Sequence, residues 1–473
     1  MPVHNNKMIG LPVYRCAAVL FGGLLMMWPA FYNGYPIIYP DSMTYLDDGR
    51  PVARALFLHR LSDYYGMRSL IYSLGILPWH WNRTAWPIVV LNALLSAYVL
   101  WLVIRSILPG QAVKAYLIIV LLLSALTSLS WYVSLIMPDC LGPLLYLSFY
   151  LLVFARESLS RAERISLYPL AWWAVASHAT HLPLSAALCV ILALVLAWQR
   201  QPVRRSVRLV GEIAGIVILA AASQMALNAY LYGEPSLNGD RPPFLMARLI
   251  ADGPGRWYLE KHCGEVKFAI CQYVQKLPND PDNFLWAPDG IVQTANDETG
   301  RQLQAEEVRF ALATLRAYPR ELFAKSAAAF WHQLLTFGYE DLDASTWVLD
   351  VFDKTLPGQR WRYERSRQVR GDWPLDFFTT IQDWVVGLAA IAIAVFIPLV
   401  WSYRSSRLTG LGVTILSMVI VNAGLTGPIS MVEERFESRV IWLVPLLALL
   451  LIFYWLDRGR CIEAARTAAA HDA

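Results

Sequence analysis

The chain has 473 residues, of which 56% are hydrophobic and 16% charged, and a formal net charge of +4. So apolar and charge-poor a composition excludes an ordinary soluble globular protein and points to a lipid bilayer as the solvent. The basic residues fall in short scattered clusters, so no broad cationic face for nucleic acid is expected.

The first apolar run extends from Val13 to about Phe31, after a short start carrying Lys7 and Arg15. It has the outline of a signal peptide, but no small-residue cleavage site follows. It continues instead into Trp28, Pro29, Phe31, Tyr32 and Tyr35, so it reads as a retained first span. A span needs about 20 apolar residues to cross about 30 Å of hydrocarbon. Further candidates follow at 86–108, 115–134, 141–155, 168–180, 183–199, 209–231, 379–402, 408–428 and 439–456. The fourth and fifth are short and must tilt, extend into flanking aromatic sequence or be covered by neighbours. The 19 Trp and 23 Tyr suit an interfacial aromatic belt.

The predicted fold is thus an all-α polytopic membrane protein with about ten transmembrane helices. Residues 1–231 form an N-terminal transmembrane region that includes a first outer loop, 32–85. An extracytoplasmic domain follows at 232–378, then a C-terminal transmembrane region at 379–457 and a cytoplasmic tail at 458–473 that reads as disordered.

Alternate connections carry the basic residues: Arg105 and Lys114; Arg156, Arg161 and Arg164; Arg200, Arg204, Arg205 and Arg208; Arg404 and Arg407; and finally Arg458 and Arg460. By the positive-inside rule these face the cytoplasm, as do both termini. The cell inner membrane is the expected location. The connections 32–85, 135–140, the tight turn at His181-Leu182-Pro183, 232–378 and 429–438 then face outward.

Within 232–378, turn-rich sequence (Asn279-Asp280-Pro281) precedes a helical pattern from Gln304 to Phe337 that breaks near Pro319. Its second part, with Leu322, Phe323, Phe330, Trp331, Leu334 and Leu335, either lies along the membrane surface or packs on the domain's own core. No internal repeat is visible. Cys16, Cys140 and Cys189 lie in or beside spans and Cys461 in the tail, which leaves Cys263 and Cys271 as the pair sharing the outer domain. A disulfide is favoured there over free thiols, and a two-cysteine metal site lacks evident further ligands.

Ionisable residues near the membrane are costly and mark candidate sites. In the first outer loop, Tyr39-Pro40-Asp41-Ser42-Met43-Thr44-Tyr45-Leu46-Asp47-Asp48 offers either a helix cap or an acid for chemistry. Met137-Pro138-Asp139-Cys140 likewise places an acid at a helix start, where the helix dipole alone would favour it. His178 and His181, three apart, share one helix face and suit a metal, a phosphate or a proton relay, unless they are simply satisfied interfacial histidines. The last outer loop has five charges between Glu433 and Arg439. There Arg435 and Arg439 match phosphate oxygens, and the plain alternative is an Arg–Glu network that ties the loop down.

The segments Asp41-Ser42-Met43-Thr44-Tyr45, Pro138-Asp139 and Glu434-Arg435-Phe436…Arg439…Pro445 together resemble the membrane-embedded GT-C glycosyltransferases. These use polyprenyl-phosphate-linked sugars, and the likeness is to the mannosyl and aminoarabinosyl transferase branch. Many members of the lipid-phosphate-sugar branch carry Asp-Glu in the first loop, where this chain has Asp41-Ser42. The resemblance implies sugar transfer from a polyprenyl-phosphate carrier to a glycan, lipid or protein acceptor, with inversion at the anomeric carbon. It makes Asp41 the base, with Asp139 or Glu434 as candidate second acid. Arg435, Arg439 and His181 would hold the phosphate, with Tyr45 and His178 in support. A divalent metal shared by Asp41, Asp139 and a histidine stays open, and no other cofactor is expected. A lipid or polysaccharide flippase is the competing expectation, although such transporters often show inverted repeats and midplane sites.

Overall fold

The computed structural model describes residues 6–62, 65–237, 239, 241–401 and 405–471. Arg404 of the basic set lies outside the described residues, as do the side chains of Lys7, Arg458, Arg460 and Cys461. The chain is 79% helical, and among the described residues extended pairing is confined to one isolated bridge between Ile37 and Leu135. It is an all-α membrane protein.

Among the described residues, eight helices are long and apolar enough to cross a bilayer: Val13–Asn33, Trp86–Ile107, Pro109–Leu126, His181–Trp198, Val203–Tyr232, Leu375–Val400, Ser406–Ile429 and Glu434–Asp457. The third expected span ends early, at Leu126, and a separate short helix, Leu129–Ser134, carries the chain onward to the 135–140 connection. The short fourth and fifth candidates form the helices Leu141–Phe154 and Arg161–Ala176, which fall below the spanning length. Every residue from Leu141 to Val153 is buried. A helix that is apolar all round is stable when neighbours cover it completely, so this short segment is core. Leu375–Val400 is the opposite case. Its Trp384, Leu388, Ile391 and Val395 are exposed, the outward apolar surface of a helix whose solvent is lipid. The expected disordered tail is revised, because the last helix, Leu443–His471, runs into it.

The chain forms two compact units. The first comprises Met1–Leu237, Gly338–Val419 and Ser438–Ala473, and the second Asn238–Phe337 with Ile420–Glu437. The 232–378 segment is therefore divided, and its part beyond Phe337 folds with the first unit. Buried Gln368 shows why. Its side chain accepts from the Ile38 N–H at 3.2 Å and donates to the carbonyls of Ile38 and Leu342, each at 2.7 Å.

The second unit is helical around Met246, Ile250, Leu259, Phe284, Leu303 and Phe310. Cys263 and Cys271 are joined by a disulfide, with an S–S distance of 2.08 Å. Buried Glu307 pairs with Arg241 and accepts from the Leu245 N–H at 2.7 Å. Helices Asp297–Ala317 and Pro319–Leu335 meet at Tyr318, where Pro319, which has no N–H to leave unbonded, starts the second helix.

Candidate active site

The site is built in the first unit by laying two loop segments side by side. The Ile37 N–H donates to the Ser134 carbonyl at 3.0 Å, and the Ile136 N–H donates to the Ile37 carbonyl at 3.0 Å. Buried Asn92, on the span Trp86–Ile107, secures the second segment by donating to the carbonyls of Val133 and Leu135, both at 3.3 Å. Ile37 thus stands opposite Leu135 in parallel register. Four residues further along each segment come Asp41 and Asp139, each preceded by proline and each in the first turn of a helix. The segments Ile37-Ile38-Tyr39-Pro40-Asp41 and Leu135-Ile136-Met137-Pro138-Asp139 are a five-residue repetition too short to register as an internal repeat.

In the first segment the capping role and the acid role fall on different residues. The Tyr39 N–H donates to Ser42 Oγ at 2.9 Å, so Ser42 satisfies the start of helix Pro40–Leu58. Asp41 Oδ1 receives Arg68 Nη2 at 2.6 Å, with the two side chains 15% and 23% exposed. Arg68 precedes Ser69, whose hydroxyl accepts from the Tyr72 N–H and donates to the Ala176 carbonyl, fixing the start of helix Leu70–His80. One turn beyond Asp41, the buried Tyr45 ring meets Tyr72 edge-on at 4.9 Å, and Tyr72 stacks on Trp173 at 5.8 Å. Burial, with Cys140, Tyr45 and Asp139 adding to it, holds the Tyr72 phenol well above its ordinary range. Tyr72 is therefore a neutral phenol near Asp139, with the Tyr45 ring edge-on against it.

Asp139 does not cap its helix through a hydrogen bond. Both its carboxylate oxygens are buried without a hydrogen-bond partner among the described residues. The cation facing it is Arg439, with Nη1 at 3.6 Å and both side chains 1% exposed. Arg439 Nη2 donates to Thr180 Oγ1 at 3.4 Å, and Thr180 Oγ1 lies 2.8 Å from His178 Nδ1. His181 is fully buried, and its Nδ1 lies 2.7 Å from the Ala174 carbonyl. A carbonyl only accepts, so Nδ1 carries a proton. Nε2, which has no hydrogen-bond partner among the described residues, lies over Gly142, where an added Cβ would come within 3.2 Å of it.

The expectation that the two histidines share one helix face is corrected here. His178 lies in the turn between helices Arg161–Ala176 and His181–Trp198, although the rings remain 5.3 Å apart. The two arginines also have different partners. Arg439 faces Asp139 in the first unit, whereas Arg435, in the second, has Glu433 Oε2 at 3.8 Å and its guanidinium 5.1 Å from the Phe436 ring centre. Glu434 opens the helix Glu434–Ile441, and buried Glu437 accepts from Asn422 Nδ2 at 2.9 Å. For Arg435 the loop-tying reading therefore has direct contacts behind it.

No group of three or more His, Cys, Asp or Glu among the described residues is arranged to hold a metal ion. The metal left open for Asp41, Asp139 and a histidine therefore has no such group among the described residues. Residues that sequence reasoning passed over are Arg68, Tyr72, Asn92 and Gln368. Arg68 alone carried a signal, as a cation in the same outer loop as Asp41.

Asp48, two turns beyond Asp41, has its carboxyl pushed up to about 7, chiefly by burial, against a lowering hydrogen bond from the Gly66 N–H. His80 is pushed down to about 4 by burial and by Arg50. The chain matches no known family model, no curated protein and no solved structure.

Proposed function

We propose that the chain is an integral membrane glycosyltransferase that moves a sugar from a polyprenyl-phosphate carrier to an acceptor hydroxyl. In this reading all ten apolar segments lie within the membrane domain, both termini are cytoplasmic, and the site faces the outer surface of the inner membrane. The observation that carries the reading is the parallel pairing of Ile37 with Leu135, four residues before Asp41 and Asp139, each of which stands in the first turn of its helix. Two such acids, one partly open and one buried against an arginine, suit a reaction needing one base and one binding group.

The acceptor oxygen attacks the anomeric carbon, its proton passes to Asp41, and the bond from that carbon to the phosphate oxygen breaks, releasing polyprenyl phosphate. A single displacement of this kind inverts the anomeric centre, since retention would require a carboxylate nucleophile. Arg68 orients the base. Arg439 is the cation assigned to the leaving phosphate, where positive charge lowers the barrier as charge develops. His181 is reassigned. Its Nε2 lone pair suits a sugar hydroxyl better than an anionic phosphate.

The test is transfer from a polyprenyl-phosphate-linked sugar in membranes containing the full chain. Asp41→Asn is expected to abolish transfer while leaving expression and insertion normal. Full activity in that variant overturns the assignment.

A further inference from the structure

The helix Pro319–Leu335 is apolar on two faces, and among the described residues only one of them is buried. Its inner face, with buried Leu322, Ala329 and Gln333, packs within the second unit. A Cβ on Gly427 would come within 2.6 Å of the Ala329 carbonyl oxygen, so the two backbones are in close contact, and the Phe330 ring lies beside Gly424. Gln333 fixes the contact by donating to the Glu433 carbonyl at 2.8 Å and accepting from the Glu433 N–H at 3.1 Å. Gly424 and Gly427 belong to the last two turns of Ser406–Ile429, a helix long and apolar enough to span a membrane. The Pro319–Leu335 helix therefore rests at the level where that span ends.

The opposite face carries Ala324, Ala328, Trp331 and Leu335, spaced i, i+4, i+7 and i+11, which is one stripe of a helix. Trp331 is 59% and Leu335 74% exposed, and Phe323 beside them is 77% exposed. Arg320, Lys325 and His332 border the stripe, as does Glu321, the one acid in this helix. A tryptophan with large apolar neighbours, bordered by cations and held at the end of a span, matches the chemistry of a lipid headgroup boundary.

We propose that helix Pro319–Leu335 is an interfacial helix that seats its Ala324, Ala328, Trp331 and Leu335 face in the bilayer boundary and holds anionic lipid headgroups with Arg320 and Lys325. The lipid surface is the occupant. Basic residues close to an anionic surface are drawn to it, and the tryptophan and leucine supply the apolar contact. This contact is independent of the chemistry of the active site.

The experiment places a nitroxide at Leu335→Cys, at Ala328→Cys and, as a solvent-side control, at Glu298→Cys, in the full chain with its free cysteines replaced by serine. The protein is reconstituted in phosphatidylcholine vesicles with and without phosphatidylglycerol. Positions 328 and 335 are expected to collide with oxygen several-fold more often than with a water-soluble nickel chelate, with the reverse order at 298. Equal nickel access at 335 overturns the proposal, and so does exclusion of both quenchers, which would mean that protein covers the face. Phosphatidylglycerol should deepen position 335, and Arg320→Gln with Lys325→Gln should remove that shift; an unchanged depth refutes the headgroup contact. Should the serine background fail to fold, a shallow photoactivatable lipid applied to the unaltered chain reads the same contact. Residues 324–335 should then be labelled in preference to 297–304, and absence of that label overturns the proposal.

Discussion

Two Asp–Arg pairs of the first unit start from the same local sequence and end in different states. Asp41 and Asp139 each follow a proline at a helix start, and each faces an arginine. The Asp41–Arg68 pair is hydrogen-bonded at 2.6 Å and partly open, whereas Asp139–Arg439 stands at 3.6 Å with both side chains 1% exposed. A partly open carboxylate can meet a substrate and exchange a proton. A fully buried one has lost its water, and its charge is compensated mainly by its partner. In the proposed reading proton transfer therefore falls to Asp41, while the buried Asp139 holds Arg439 in place.

The largest effect expected from this contrast is on activity at the open pair. Asp41→Asn keeps the shape and removes the base, so transfer should fall by about 10²–10⁴-fold, the range of general base catalysis. Thermal unfolding of the detergent-solubilised protein should shift little. The buried pair should show the opposite balance. Asp139→Ala leaves the Arg439 charge buried beside an uncharged cavity, a loss of about 3–5 kcal/mol in stability. Asp139→Leu combined with Arg439→Met removes both charges and should regain much of it. If the double variant is no more stable than Asp139→Ala, the pair is not the source of the cost.

Much of this contrast was legible in the sequence, and its decisive half was not. Hydropathy marked the apolar helices, because about 20 apolar residues have few places to go except a bilayer. Pro40-Asp41 and Pro138-Asp139 also stood out as acids at helix starts. What the chain could not show locally is that Gln368 clamps Ile38 from 330 positions away, or that Asn92 holds the Val133 and Leu135 carbonyls. Those two amides hold the segments that lead into the two acids. Burial was equally hidden. The stretch 141–153 reads as a short span by composition, and only its neighbours make it wholly interior. The charge-dense last loop looked like one phosphate clamp, yet Arg435 and Arg439, four apart, meet different acids.

The Asp48 carboxyl shows what burial does when a backbone N–H stands where the other two acids have an arginine. Its ordinary pKa of 3.8 is raised to about 7, so the folded chain holds a proton that the unfolded chain gives up. Stability from this group is therefore full below about pH 4, falls as pH rises and is lost above about pH 7, by at most about 4 kcal/mol. His80, lowered from 6.5 to about 4, acts in the opposite sense and costs stability as pH falls through that window. Asp48→Asn should raise the unfolding temperature at pH 8 more than at pH 5. Equal shifts at the two values would show that Asp48 is not protonated in the fold.

The smallest effect belongs to the arginine of the open pair. Arg68 is 23% exposed, and a partly solvated ion pair contributes little to stability, at most about 1 kcal/mol. If Arg68 merely tied the loop down, Arg68→Ala would lower stability by that amount and leave transfer per folded molecule unchanged. If it aims the Asp41 carboxylate at the acceptor, transfer should drop by roughly tenfold, the cost of losing about 1.4 kcal/mol from the transition state, with the affinity for the carrier lipid preserved. Arg68→Lys keeps the charge but not the fork geometry of the guanidinium, and it should recover part of that loss. The separation of rate from carrier affinity distinguishes aiming the base from holding the phosphate. A loss confined to carrier affinity would move Arg68 into the phosphate site and leave Asp41 without a positioning partner.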